Sequence, residues 1–320
     1  MHAWPKRFAA TGGRDARYPS RMLQTVSPDQ PTVLRENAGL AIGLLGVVIF
    51  GGTLPATRVA LGAFNPLFIT FGRAALASAA AALILVLLRR RFPRRNLGAL
   101  LLAGVLLVFA FPLLSTLAMQ TVPAAHGAVV LGILPLATSI FSAFLTGERP
   151  SVLFWLCGAA GAALVVTFAM RDGGMQLSSG DLWLFLAAIL VSLGYVISGR
   201  LSRRMPGWEV ICWALIVTAP VSLAGTVFSW GAGFSAATAT EAAAFLYLGL
   251  GSMFLGFFAW NVGLAMGGIA RVSQVQLLQA FVTIAISALL LGETITGETL
   301  GFAFAVMVTV MVGRWARVAA

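Results

Sequence analysis

Ile140-Phe-Ser-Ala-Phe-Leu-Thr-Gly-Glu148 and Ala285-Ile-Ser-Ala-Leu-Leu-Leu-Gly-Glu293 share S-A-x-L-x-G-E in register, 145 residues apart. Carried backwards, the same offset pairs Thr138 with Thr283, Ser142 with Ser287, and His126 with Arg271. Leu117-Ala-Met119 pairs with Leu264-Ala-Met266 after a two-residue gap, and Gly52-Thr-Leu-Pro-Ala-Thr-Arg58 with Gly194-Tyr-Val-Ile-Ser-Gly-Arg200. Several matches in one order point to an internal duplication.

Both copies lie among long apolar runs. Of 320 residues, 59% are hydrophobic and 10% charged, against roughly 25% charged in soluble domains. At about 1.5 Å rise per residue, some 20 apolar residues cross a hydrocarbon core of about 30 Å. Ten runs are expected to cross: Ala38–Leu61, Pro66–Leu88, Leu97–Met119, Pro123–Leu145 and Ser151–Met170, then Leu182–Arg200, Trp208–Trp230, Ala242–Leu264, Ile269–Leu291 and Thr299–Ala316. The fold expected is an all-α integral membrane protein, with five-helix repeats at residues 38–170 and 181–316. Residues 1–36 are polar and arginine-rich with no apolar signal region, and are expected to form a flexible cytoplasmic arm, although Met22 is a second candidate start.

The net charge of +11 does not indicate nucleic-acid binding, because the arginines cluster in connectors and build no basic face on a soluble fold. Anionic lipid headgroups are the expected counter-charge. With the N-terminus inside, every Lys and Arg except Arg58, Arg73, Arg171 and Arg271 falls on the cytoplasmic side. Both termini are thus expected in the cytoplasm, in the inner membrane of the cell. Trp183, Trp208, Trp230 and Trp315 sit at span ends, as an aromatic belt requires. An odd number of spans per copy turns the second copy upside down, and inverted repeats with a shared midplane site are characteristic of alternating-access carriers.

Four stretches are similar to the EamA-like branch of the drug/metabolite transporter superfamily: Phe50-Gly-Gly-Thr-Leu-Pro-Ala-Thr-Arg-Val-Ala-Leu61; Phe71-Gly-Arg-Ala-Ala-Leu76; Ala124-Ala-His-Gly-Ala with Leu134-Pro-Leu and Gly147-Glu148; and Ala259-Trp-Asn-Val-Gly-Leu-Ala265 with Ile269-Ala-Arg-Val272. The resemblance covers about residues 38–316. It implies a ten-helix basket around a central cavity and the transport of small organic solutes. In the second copy Gln279-Ala280 replaces Leu134-Pro135, so the ninth span lacks the proline that is expected to bend the fourth.

Ionisable groups inside spans are costly and therefore candidates for function. Arg73 reads either as the partner of a substrate carboxylate or as a helix-bonding arginine that shapes the fold. Arg58 and Arg271 read as interface anchors. His126 reads as a buried, satisfied imidazole or as a proton relay, and is the one obvious titrating group if a proton is coupled. On the ninth span Ser273, Gln276, Gln279, Thr283 and Ser287 fall within about 120° of arc, a polar stripe facing a cavity or other helices. Thr138 and Ser142 are its counterpart on the fourth span. Trp260, Asn261 and Tyr195 divide equally between cavity lining and core packing. Gly52, Pro55 and Pro135 mark candidate helix breaks, since proline removes a backbone donor.

Cys157 and Cys212 lie in apolar runs with no metal-ligand spacing, and neither a cofactor nor a metal is expected. An intramembrane enzyme lacks its motifs here: there is no H-E-x-x-H and no G-x-S-x-G. An ATP-driven pump would need a P-loop, which is absent. A non-transporting scaffold or receptor is the remaining rival. The expected function is secondary transport, as an exporter, of a small metabolite such as an amino acid or related compound, by a monomer or homodimer.

Overall fold

The computed structural model of the protein describes residues 32–146, 149–171, 177–202, 204–231, 237–267, 273–315 and 318–319. The expectations for the N-terminal arm up to residue 31, for Glu148 and for Arg271 lie outside them, as does the side chain of Ser273.

Eight helices are long and apolar enough to cross a membrane: α1 (Leu34–Ala60), α2 (Pro66–Leu87), α3 (Arg94–Ala118), α4 (Ala124–Leu145), α5 (Val152–Arg171), α6 (Ser179–Ser202), α7 (Gly207–Phe228) and α8 (Ala239–Leu264). Two shorter apolar helices follow, α9 (Val275–Leu291) and α10 (Gly297–Gly313). Their outer faces are as apolar as their inner ones. Phe228 is 89% exposed and Leu289 84%, an arrangement that water would punish and hydrocarbon favours. Among the described residues only Arg149–Pro150 and Val318–Ala319 form a strand pair.

The helices pack in a regular scheme: α1 on α8, α3 on α6, α2 on α7, α4 on α9 and α5 on α10. Polar links at the helix ends fix directions. Asn65 at the start of α2 donates to Ser229 O beyond α7 at 2.9 Å, and Arg171 at the end of α5 meets Glu298 of α10 at 2.7 Å. At the opposite end Arg90, beyond α2, lies 3.2 Å from Glu209 in the first turn of α7. Helices α2 and α7 are therefore antiparallel, as are α5 and α10.

Glycine brings α1 and α8 together. A Cβ on Gly263 would stand 2.7 Å from the Cα of Gly43, and one on Gly46 3.0 Å from the Trp260 N. Neither position admits a side chain without the helices separating. Cys157 and Cys212 are free thiols, both buried.

Four helices change geometry near mid-length. Helix α1 breaks at Gly52 and α4 at Gly132–Ile133, whereas α3 and α8 each contain a π-helical stretch, Val105–Ala110 and Tyr247–Gly256. Helix α9 begins as a 3-10 turn, Ser273–Leu278, and becomes α-helical at Gln279. By the repeat offset Gln279 corresponds to Leu134, where α4 resumes. The change of helix type thus occurs in α9 without a proline.

Candidate functional site

These irregular segments surround a central cavity of about 740 Å³, counted with its open mouth. Arg73 is placed by α2, whose start is fixed by Pro66 in the first turn and by Asn65, whose Oδ1 accepts from the Phe68 N–H at 2.8 Å. The side chain is 2% exposed. Its Nη2 donates to Ser252 Oγ at 3.2 Å, and Ser252 Oγ lies 2.8 Å from Thr53 Oγ1. Nε and Nη1 are buried with no partner among the described residues.

On the facing wall Gln276, Gln279 and Thr283 of α9 line the cavity. Across the 3-10 turn residues three apart eclipse, so Gln276 and Gln279 share a face more closely than α-helical spacing gives. The Gln279 Oε1 is buried with no partner among the described residues, while Thr283 Oγ1 donates back to Gln279 O at 2.9 Å. Tyr195 and Pro135 also line the space. Its other walls are largely apolar, including Phe50, Leu107, Phe111, Met253 and Phe257.

The remaining sequence candidates fall elsewhere. Thr138 is not in the lining; its Oγ1 is buried without a partner among the described residues. Trp260 and Asn261 are buried where α8 meets α1 and α7, with Gly46 against Trp260 and Gly207 against Asn261. Gly52 and Pro55 flank the lining residues Thr53 and Leu54. A Cβ on Gly52 would collide with the Tyr247 hydroxyl, which donates to the Ile49 carbonyl. His126 lies outside the lining, its Nε2 2.7 Å from Asp181 Oδ1. Ser142 and Ser287 are likewise not in the lining.

Three polar participants escape a reading of the sequence. Ser252 and Thr53 look like ordinary helix hydroxyls until tertiary structure brings them together across 199 residues. Asp181 begins α6 and is 1% exposed, accepting from the Ser178 N–H at 2.9 Å and its hydroxyl at 2.7 Å. The S-x-x-D spacing of Ser178 and Asp181 signals a helix start, though not its burial.

Above the cavity, the carboxylate of Glu293 accepts from the N–H groups of Ala124 and Ala125, each at 2.8 Å. Arg58 Nε is 3.9 Å from Glu293, and Arg58 Nη1 donates to Val122 O at 2.5 Å. The ends of α1 and α9 are thereby tied to the start of α4.

The sequence profile of the EamA-like transporter family matches residues 37–170 and 178–313. An uncharacterized transporter of Bacillus subtilis, YdeK, is 40% identical over 273 residues, covering 85% of this chain and 95% of that one. A protein of Streptantibioticus cattleyicolor named "Probable terminal-alkyne amino-acid exporter" is 28% identical over 275 residues, 81% of this chain and 89% of its own. A solved crystal structure shares the fold, with a TM-score of 0.61 and 23% identity, over 87% of this chain and 96% of that one.

Proposed function

Because the chain belongs to the EamA-like transporter family and is a multi-pass membrane transporter rather than an enzyme, we propose that it exports a small organic metabolite, such as an amino acid or related compound, by alternating access. The observation that carries this reading is the cavity itself: a half-enclosed space between helices, with an arginine whose Nε and Nη1 find no partner among the described residues. The amino-acid class is supported by the relative named as an amino-acid exporter.

Ten spans in two inverted repeats are supported by the packing scheme. Exchanging each helix for the one five places on turns the α1–α8 contact into α6–α3, which is also present, and maps α2–α7, α4–α9 and α5–α10 onto themselves. Each of those three self-paired sets runs antiparallel, as inversion demands. A placement of both termini in the cytoplasm, with the protein in the inner membrane, is supported by the arginine-rich connectors. In that orientation the Glu293 cluster closes the outer side, and the cavity, reaching down to Gln276 at the start of α9, serves the inner side.

The test is transport in proteoliposomes against a metabolite panel, comparing the wild-type protein with Gln279→Ala and Arg73→Ala. A flux supported by the wild type and reduced at least tenfold by both substitutions is expected. Equal flux in all three proteins would remove the cavity from the transport path.

A further inference from the structure

We propose that the cavity selects its substrate by charge: it takes a carboxylate with an apolar remainder, anchored on Arg73, and rejects organic cations. The inference rests on the carrier reading above and specifies the ligand of the same site.

Among the described lining residues Arg73 is the only one charged at neutral pH; no Asp, Glu, Lys or His accompanies it. Nη2 gives a hydrogen to Ser252. The guanidinium has two edges on which Nη2 shares a fork, one with Nε and one with Nη1, and both of those nitrogens lack a partner among the described residues. One complete fork therefore remains, two parallel donors matched to the two oxygens of a carboxylate. Such a ligand also neutralises the positive charge of a side chain that is itself only 2% exposed. A cation would meet that charge with nothing acidic to offset it.

The second polar feature is a neutral acceptor. Gln279 Oε1 is buried with no partner among the described residues, so it receives an N–H from the ligand, the ammonium of a zwitterion or an amide. The rest is apolar. Phe50 and Phe257 meet edge to face at 5.0 Å and, with Leu107, Phe111 and Met253, form a wall suited to a hydrocarbon or aryl side chain. A compact polar anion such as inorganic phosphate leaves that wall uncovered.

The experiment uses the purified full-length protein and two matched probe series. One comprises leucine, 4-methylpentanoate, isoamylamine and leucine methyl ester; the other comprises phenylalanine, 3-phenylpropionate, phenethylamine and phenylalanine methyl ester. Binding is read as a ligand-dependent rise in melting temperature, titrated to a Kd, and counterflow in proteoliposomes is read in parallel. In at least one series the amino acid and the acid are expected to bind at least tenfold tighter than the amine and the ester. Arg73→Lys, which keeps the charge but loses the fork, is expected to weaken the acid several-fold, and Arg73→Gln to erase the preference. Gln279→Glu is expected to admit the amine, and so tests the charge rule even if Arg73 variants fail to fold.

Amines binding as tightly as acids, acids unaffected by Arg73→Gln in a folded protein, or no probe binding at all would each overturn the inference. Carboxylates that bind with this pattern yet never cross the vesicle membrane would sink the carrier reading and leave the charge rule standing.

Discussion

Glu293, at the end of α9, supplies the N-terminal cap of α4, a helix that begins 169 residues earlier: its two carboxylate oxygens each accept one N–H, from Ala124 and Ala125. Pro123 precedes α4 and offers no side-chain cap, so those donors would otherwise point into a partly buried space unmet. A carboxylate there also answers the positive end of the helix dipole.

Replacing Glu293 with Ala removes both acceptors and loosens the junction of α1, α4 and α9. Loss of a helix cap costs about 1 kcal/mol, which corresponds to roughly a fivefold change in a two-state population. If this junction holds the outer side closed, a cysteine introduced at Ala128 in the cavity is expected to react several-fold faster with a membrane-impermeant thiol reagent in Glu293→Ala. The native thiols Cys157 and Cys212 are buried, which keeps the background low. Unchanged labelling would show that the tie does not limit outer access.

Gly292 lies at φ +64°, the left-handed conformation that ends α9 and turns Glu293 toward α4. Gly292→Ala has ample room for its methyl group but must adopt that φ, at about 1 kcal/mol. Gly297, also with open space around it, has no such backbone requirement. Thermal unfolding is expected to fall for Gly292→Ala and to hold or rise for Gly297→Ala. Equal behaviour would mean that the turn carries no strain.

His126 and Asp181 form a buried pair joining the starts of α4 and α6. Losing a buried hydrogen bond to a carboxylate costs about 1.5–3 kcal/mol, even though Asp181 keeps its two donors from Ser178. The singles His126→Leu and Asp181→Asn are each expected to unfold well below the wild type. In a double-mutant cycle their effects are expected to be far from additive. Additive losses would show the contact to be energetically idle.

The α1–α8 crossing depends on the absence of side chains. Gly263→Val forces α8 away from Gly43, and over-packing of this kind costs about 1–3 kcal/mol or more. Protein yield and melting temperature are expected to drop together, and Gly46→Leu is expected to behave alike. A Gly98→Ala control, with nothing within 4 Å of the added methyl, is expected to be silent.

How much of this was legible in the sequence follows from what hydrophobicity encodes. The apolar runs locate the helices to within a few residues because burial in lipid acts on composition alone. The stripe on α9 yields Gln276, Gln279 and Thr283, and the cost of a membrane arginine singles out Arg73; all four line one cavity. Hidden from such a reading were the π-helical stretches of α3 and α8, which leave no pattern in side-chain polarity. Hidden too was the pairing of Arg73 with Ser252 over 179 residues. His126 illustrates the same limit: its partner Asp181 stands just ahead of the apolar run read as the sixth span, where polarity alone marks the helix as already outside.

The hydroxyl of Ser252 bonds Thr53 from the chain's first helix and Arg73 from its second, while itself belonging to the eighth. If this trio anchors the cargo as proposed, each half of the gene encodes only part of the anchor, and neither half alone specifies what the protein recognises. A lineage that changes the charge of its cargo must revise two distant coding stretches in concert, so descendants with altered tastes should carry compensating substitutions at these three positions.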